Sequence, residues 1–200
     1  MARFFLIILF ILFISESHGQ YDWKPEKDKN GIKVYLSDVA GSSYKAVKVE
    51  CTMTGTYAKL ISILTNVSGM KKWVYHNKNS YLLKQYNPLN FIYYSETSMP
   101  WPLSNRDVVL HLKISTDSLP KLLTINGNNE PHFFPEIPGL VRIPFYKASW
   151  TVTMPTTQSV RIVYILEMDP GGSIPSSLAN SFVDKGPFET FSNLAELMKK

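Results

Sequence analysis

Residues 169–200 limit the fold more than any other part of this chain. They open with Asp169-Pro170-Gly171-Gly172-Ser173-Ile174-Pro175, a turn-rich run leading into a helix. Ser173 can serve as N-cap, and Pro175 falls in the first turn, where its missing N–H costs nothing. Beyond it Leu178, Phe182, Val183, Phe191, Leu194, Ala195 and Met198 recur at helical spacing, with Asn180, Asp184, Lys185, Glu196 and Lys199 on the other side. An apolar stripe of that length must lie on a broad apolar surface. Gly186-Pro187 interrupts it, and proline costs ~3 kcal/mol inside a helix, so the segment is either one kinked helix or two in succession. One helix kinked at Gly186-Pro187 is expected.

Strands supply the surface. Residues 81–86, 91–97, 108–115, 122–126, 141–154 and 159–168 are rich in β-branched and aromatic side chains and are bounded by Pro, Gly or Asn. Alternation is cleanest in three of them: Val108, Leu110, Leu112 and Ile114; Tyr146, Ala148, Trp150, Val152 and Met154; Val160, Ile162, Tyr164, Leu166 and Met168. Polar residues such as Lys113, Lys147, Thr151 and Arg161 fill the opposite phase, which predicts an antiparallel sheet with one dry and one wet face. Nearer the N-terminus, residues 31–36 and 44–54 read as two strands after a polar lead-in, 21–30, with room for one helical turn. Thr56 can cap a helix that gathers Tyr57, Leu60, Ile61, Leu64 and Val67 on one face, and residues 70–76 can form a second short helix carrying Trp73. The fold class is α+β, with a strongly curved antiparallel sheet gripping the C-terminal helix.

Residues 1–19 stand apart. Met1-Ala2-Arg3 gives a positive start, the run from Phe4 to Ile14 is apolar throughout, and Ser17-His18-Gly19 puts small residues where a signal peptidase reads. Cleavage after Gly19 leaves Gln20 first, while an uncleaved anchor is the alternative; the run is shorter than the ~20 residues a spanning helix needs. The expectation is an exported protein, periplasmic or secreted, whose residues 20–200 form one domain. Cys51 is the sole cysteine, so no intramolecular disulfide braces the fold, and its phase with Val47, Val49 and Met53 marks a buried, inert thiol. The formal charge of +5 comes from scattered lysines not interleaved with aromatics, which speaks against a nucleic-acid surface. Weak attraction to anionic lipid head groups and a merely soluble basic surface both fit it.

The run Pro100-Trp101-Pro102-Leu103-Ser104-Asn105-Arg106-Asp107-Val108-Val109 resembles the START family of lipid-transfer domains. The resemblance recurs at Asp169-Pro170-Gly171-Gly172-Ser173-Ile174-Pro175 and in Asn180 and Pro187, and with Trp73 and the strand order it spans 31–200. Two separated motifs in the right order make it specific. It implies the helix-grip fold of the START/Bet v 1-like superfamily, in an exported, bacterial-type member. In that fold a curved sheet wraps the terminal helix and leaves an internal cavity for one sterol, phospholipid or other apolar ligand. The implied partners are a lipid or sterol-like molecule and, transiently, a membrane surface, with no cofactor and no nucleic acid; a monomer is expected. Burying a lipid in such a space gains ~0.8 kcal/mol per CH₂, and no covalent chemistry is required.

Candidate ligand contacts are Trp73, Tyr93, Trp101, Arg106, Leu112, Trp150, Tyr164, Leu178 and Phe182. Large aromatics are more often plain core, and Arg106-Asp107 is more readily a structural tie holding the Pro-Trp-Pro turn to the sheet than a head-group anchor. Many family members carry a further arginine along this strand, facing the cavity; Leu112 stands in that phase here. Phe133, Phe134 and Ile137, set among prolines before Val141-Arg142, are expected to form a hydrophobic lid at the cavity mouth; the competing reading is a stiff loop that buries its Phe pair on the core. His76, His111 and His132 lack metal-ligand spacing, His111 falls in a solvated phase, and no nucleophile or phosphate-loop motif is present. Two alternatives to lipid carriage remain: a superfamily enzyme of cyclase or hydrolase type, for which only Glu96, Arg106, Tyr93 and Tyr164 offer themselves, and a ligand-free protein-interaction module.

Overall fold

The computed structural model describes residues 21–117, 122–180 and 183–200. The leader and its cleavage point lie outside the described residues, as does Phe182. The polar lead-in is a strand, β1 (Lys24–Lys29), and not a helical turn. It is an edge strand, which explains how it tolerates five charged residues and Pro25, where the register shifts. Asn30 (φ 54°) and Gly31 (φ 75°) turn it into β2 (Ile32–Ser37), the positive-φ pair that a tight hairpin needs. β3 (Ala46–Thr54) follows and buries Val47, Val49, Cys51 and Met53 on one face. Burial pushes the Cys51 thiol up to about 12, so it stays protonated and inert.

Thr56 caps α1 (Tyr57–Thr65) by accepting a hydrogen bond from Lys59 N at 3.2 Å. A short 3₁₀ helix, Val67–Lys72, then delivers Trp73 into the core. β4 (Asn77–Asn87), β5 (Asn90–Thr97), β6 (Arg106–Asp117) and β7 (Leu122–Asn129) run as an antiparallel meander. Residues 141–154, expected as one strand, divide at Pro144, which has no N–H for the ladder. β8 (Val141–Arg142) pairs parallel with the start of β6, where β7 no longer reaches, and β9 (Phe145–Thr156) lies between β7 and β10 (Ser159–Asp169).

The expected sheet wrapped around a terminal helix is not what forms. The strand order β1-β2-β3-β10-β9-β7-β6-β5-β4 is an open path, whose end strands β1 and β4 do not pair. The C-terminal segment is also two helices rather than one kinked one: α2 (Ser176–Asn180) and α3 (Lys185–Lys199). Gly186-Pro187 does not cause the break; Pro187 sits in the first turn of α3, where it is tolerated. α3 packs on β2, β3 and α1, burying Phe188, Phe191, Leu194 and Met198. Side chains fix both helices to the far end of the sheet. Asn180 Oδ1 accepts from Lys45 N at 3.1 Å and its Nδ2 donates to Ser43 O at 3.1 Å, while Lys27 of β1 pairs with Asp184 at 2.9 Å.

The wet-face expectation holds only for part of the sheet. On β5 and β6, Ile92, Tyr94 and Val109 form a second small core on the face away from the main one, packed against Tyr81, Leu83, Phe134 and Ile137. His111, on that same phase of β6, is part-buried rather than solvated: its Nε2 lies 2.6 Å from Asn90 Oδ1 and its Nδ1 3.6 Å from Glu130 Oε1.

Candidate functional site

Strand alternation builds a cavity. Tyr93, Ser95 and Thr97 of β5 share a face with Val108, Leu110 and Leu112 of β6, since Tyr93 sits opposite Leu110 and Ser95 opposite Val108. Tyr146, Ala148 and Trp150 of β9 and Tyr164, Leu166 and Met168 of β10 continue that face. Trp73 and Val74 close one side, and Thr190 and Phe191 of α3 close another. The space between them is about 210 Å³, far above the ~10–15 Å³ that one water requires, so it is not a packing defect. Gly127 on β7 widens it: a Cβ there would meet Leu112 Cδ1 at 3.5 Å and Ala148 Cβ at 3.9 Å, ordinary contacts at the cavity wall.

No Asp, Glu, Lys, Arg or His lines this space among the described residues. Its polar groups are few and uncharged. The Tyr146 and Tyr164 hydroxyls lie 3.3 Å apart, and the Tyr93 hydroxyl has no protein partner among the described residues. Burial raises the pKa of all three phenols, so they remain neutral O–H groups. Trp73 Nε1 is buried without an acceptor. Trp150, Tyr164 and Phe191 form an aromatic box with ring centroids 5.0–5.2 Å apart, which keeps the Tyr164 ring in place.

Of the residues singled out in the sequence, Trp73, Tyr93, Leu112, Trp150 and Tyr164 line the cavity. Trp101 does not: it is 92% exposed at the turn between β5 and β6. Leu178 is 41% exposed on α2 and lies off the lining. Arg106 shares the cavity face of β6 but stands beyond the lining, only 4% exposed, with Nη1 donating to Ser104 O and Nε unpartnered. Burial lowers its pKa. Tyr146, Ser95, Thr97 and Thr190 were not singled out, although Tyr146 shares the alternating phase that marked Trp150.

Arg106 and Asp107 do not act together, because neighbours on a strand face opposite ways. Asp107 is engaged by Arg142, with Nε–Oδ1 at 2.8 Å and Nη2–Oδ2 at 3.0 Å, both side chains almost fully buried. Hydrogen bonding to Asp107 raises the Arg142 pKa. The same guanidinium donates to the carbonyls of Pro131 (2.6 Å), Phe134 (2.9 Å) and Pro135 (3.1 Å). The turn carrying Trp101 is tied instead by Asn105, whose Nδ2 donates to Glu96 Oε1 at 2.9 Å and whose Oδ1 accepts from Met99 N at 3.1 Å.

This staple sets the loop that was expected as a lid against the outer face. Arg142 holds the loop after β7 on the Asp107 side of the sheet, where Phe134 meets Tyr81 and Tyr94 edge-on at 6.2 and 5.7 Å and Ile137 joins the same cluster. Phe133 is 43% exposed. None of the three lines the cavity.

The model of the START domain matches residues 16–200. The chain belongs to the START domain family. An uncharacterized Pseudomonas aeruginosa protein is 38% identical over 181 residues, 90% of this chain and 88% of that one. The mouse phosphatidylcholine transfer protein is 27% identical over 164 residues, 80% of this chain and 75% of its own length. The crystal structure of a STAR-related lipid transfer protein fragment from Xanthomonas axonopodis superposes with a TM-score of 0.82 at 32% identity, covering 89% of this chain and 99% of that fragment. This START domain is a non-catalytic ligand-binding module. Glu96, a candidate for acid–base work, is held by Asn105 and by Lys78 at 2.9 Å, on the strand face opposite Tyr93. Among the described residues no acidic, His and Cys side chains gather as a metal site, and no helix is long and apolar enough to cross a membrane.

Proposed function

We propose that the protein holds one lipid or other apolar molecule in this cavity and carries it between membranes as a monomer. The observation that carries the reading is the unfilled, uncharged space bounded by β5, β6, β9, β10 and α3. A void of that size is kept open at a cost in lost contacts, which a hydrocarbon ligand recovers at ~0.8 kcal/mol per buried CH₂. The relatives named for transfer of phosphatidylcholine and of lipid support carriage as the use of such a space.

Membrane contact belongs to Trp101 rather than to the Phe133–Phe134 loop. Trp101 stands out from the turn that joins Thr97, a cavity residue, to β6, so it marks the end of the sheet where the cavity ends. Indole suits a lipid–water boundary, with an apolar body and one N–H donor. Export follows from the leader as a further proposal, and N-terminal sequencing of the mature protein should begin at Gln20.

The first experiment is native mass spectrometry of protein purified without detergent, followed by organic extraction. A stoichiometric lipid adduct, or uptake from vesicles, is expected. A clean ligand-free mass with no uptake would remove the carrier reading and leave the interaction module. Trp101→Ser should slow transfer between vesicles with an unchanged melting temperature; unchanged transfer would move the membrane contact elsewhere.

A further inference from the structure

We infer that the ligand is an uncharged lipid, one whose oxygen function (a hydroxyl, ketone or ester carbonyl) is received inside the cavity by Trp73 Nε1 and the hydroxyls of Tyr93, Tyr146 and Tyr164. This rests on the carrier reading and narrows it. The observations are of two kinds: what the cavity lacks, and what it leaves unpaired.

The lining contains no charged side chain among the described residues. A phospholipid drawn in head first would bring a phosphate into a space with no cation to meet it, and an isolated buried charge is among the least favourable states a protein interior offers. The aromatic box of Trp150, Tyr164 and Phe191 has faces on which a choline ammonium can rest, but that does nothing for the phosphate beside it. Arg106 is the cation on the cavity face of β6. Its guanidinium is already turned to Ser104 O, and a Cβ on Gly172 would lie 3.5 Å from its Nη2, so the turn before α2 sits against it and separates it from solvent. It stands beyond the lining and not in it.

The unpaired groups of the lining point to a neutral ligand; Arg106 Nε, also unpartnered, lies beyond it. Ser95 Oγ accepts from Asn77 Nδ2 at 2.8 Å and Thr190 Oγ1 from Tyr75 N at 3.0 Å, so these two hydroxyls are engaged with the scaffold. Trp73 Nε1 is a donor with no acceptor, the Tyr93 hydroxyl has no protein partner among the described residues, and the 3.3 Å Tyr146–Tyr164 contact is long for an O–H···O bond. A hydroxyl both donates and accepts, whereas an indole N–H only donates. The group that satisfies this set is an oxygen that accepts from Trp73 or a phenol and, if it is a hydroxyl, donates to another phenol. Burial keeps the phenols protonated and neutral at any physiological pH.

The test offers the full mature protein a vesicle of phosphatidylcholine, phosphatidylethanolamine, phosphatidylglycerol, diacylglycerol and cholesterol in equal amounts, then re-isolates it and quantifies extracted lipid by mass spectrometry. Enrichment of diacylglycerol or cholesterol at least tenfold over every phospholipid is expected. Preferential loading of any phospholipid would overturn the inference while leaving lipid carriage intact, and no loading at all would overturn both. Two variants separate a polar anchor from simple exclusion of charge. Tyr93→Phe, which removes a hydroxyl with no protein partner, should keep its melting temperature and lose roughly two- to tenfold in retention of the loaded lipid, as should Trp73→Phe if it folds. Unchanged retention in Tyr93→Phe, with the same in Trp73→Phe, would refute the anchor.

Discussion

Filling the cavity from Gly127 should make the empty protein more stable and the carrier worse. Gly127 lies mid-strand in β7, its φ is outside the left-handed region, and its virtual Cβ meets only side-chain carbons at 3.5–3.9 Å. Valine suits a strand, and replacing a strand glycine recovers about 0.5–1 kcal/mol of backbone entropy. Its three carbons enter space now empty and, at ~0.8 kcal/mol each, add up to about 2.4 kcal/mol if fully buried. Fixing the valine rotamer takes back a few tenths, and the unfolded chain already hides part of that surface, so a net gain of about 2 kcal/mol is a fair expectation. For a domain of this size that raises the melting temperature of the ligand-free form by about 4–8 °C. The assay is paired: thermal or urea unfolding of ligand-free Gly127→Val, and lipid uptake from vesicles under the same conditions. Stability up with uptake down is the expected pair. A loss of more than about 1 kcal/mol with uptake intact would show that the wall at Gly127 is already packed against side chains and that the ligand lies elsewhere.

Three further outcomes follow from the same geometry. Arg142→Ala leaves Asp107 buried without its partner and three loop carbonyls without a donor, and should cost about 3–5 kcal/mol in urea unfolding, whereas the paired Asp107→Leu, Arg142→Leu change should cost much less. Phe134→Ser should cost about 1–3 kcal/mol and Phe133→Ser almost nothing, with lipid transfer unaffected by the latter; slowed transfer in Phe133→Ser would restore the lid. Tyr21, hydrogen-bonded to Glu167 at 2.7 Å, is raised by burial first and by that carboxylate second, up to about 12. Its neutral form is favoured in the folded state, so the stability it contributes is complete below its unfolded pKa of about 10 and is lost as pH rises towards 12. Phenolate absorbance should show Tyr21 ionising late, and Tyr21→Phe should flatten the alkaline fall in stability; an unchanged profile would place the cause elsewhere.

Much of the fold was legible because period-two patterning is strict wherever one face is dry. The phases of β3, β6, β9 and β10 follow from it, while the Thr56 cap was legible from the helical spacing that comes after it. The first hairpin was also written in the sequence, as Asn30-Gly31, but β1 carries a charged pattern and its strand character comes from pairing with β2 alone. Two other features depend on what a local pattern does not encode. α3 begins at Lys185, ahead of Gly186-Pro187, and directly before it Asp184 is met by Lys27 of β1, a long-range contact that no local pattern announces. Whether the sheet closes depends on its two end strands meeting, and alternation within a strand says nothing about that.

The site was legible to the same depth and for the same reason: Tyr93, Leu112, Trp150 and Tyr164 sit on phases that alternation assigns, whereas Trp101 and Phe133-Phe134 sit on loops whose direction it does not. One signal could have settled the loop. Val108, Leu110 and Leu112 define the cavity phase of β6, so Asp107 must face the other way. A buried carboxylate needs a cation, and Arg142, beside the loop, is the residue that β8 pairing carries directly across from Asp107. Any loop bound to that guanidinium then lies over the outer face, and its Phe134 with it. Charge satisfaction on the polar phase, read together with strand parity, therefore places a loop whose side hydrophobicity alone leaves open.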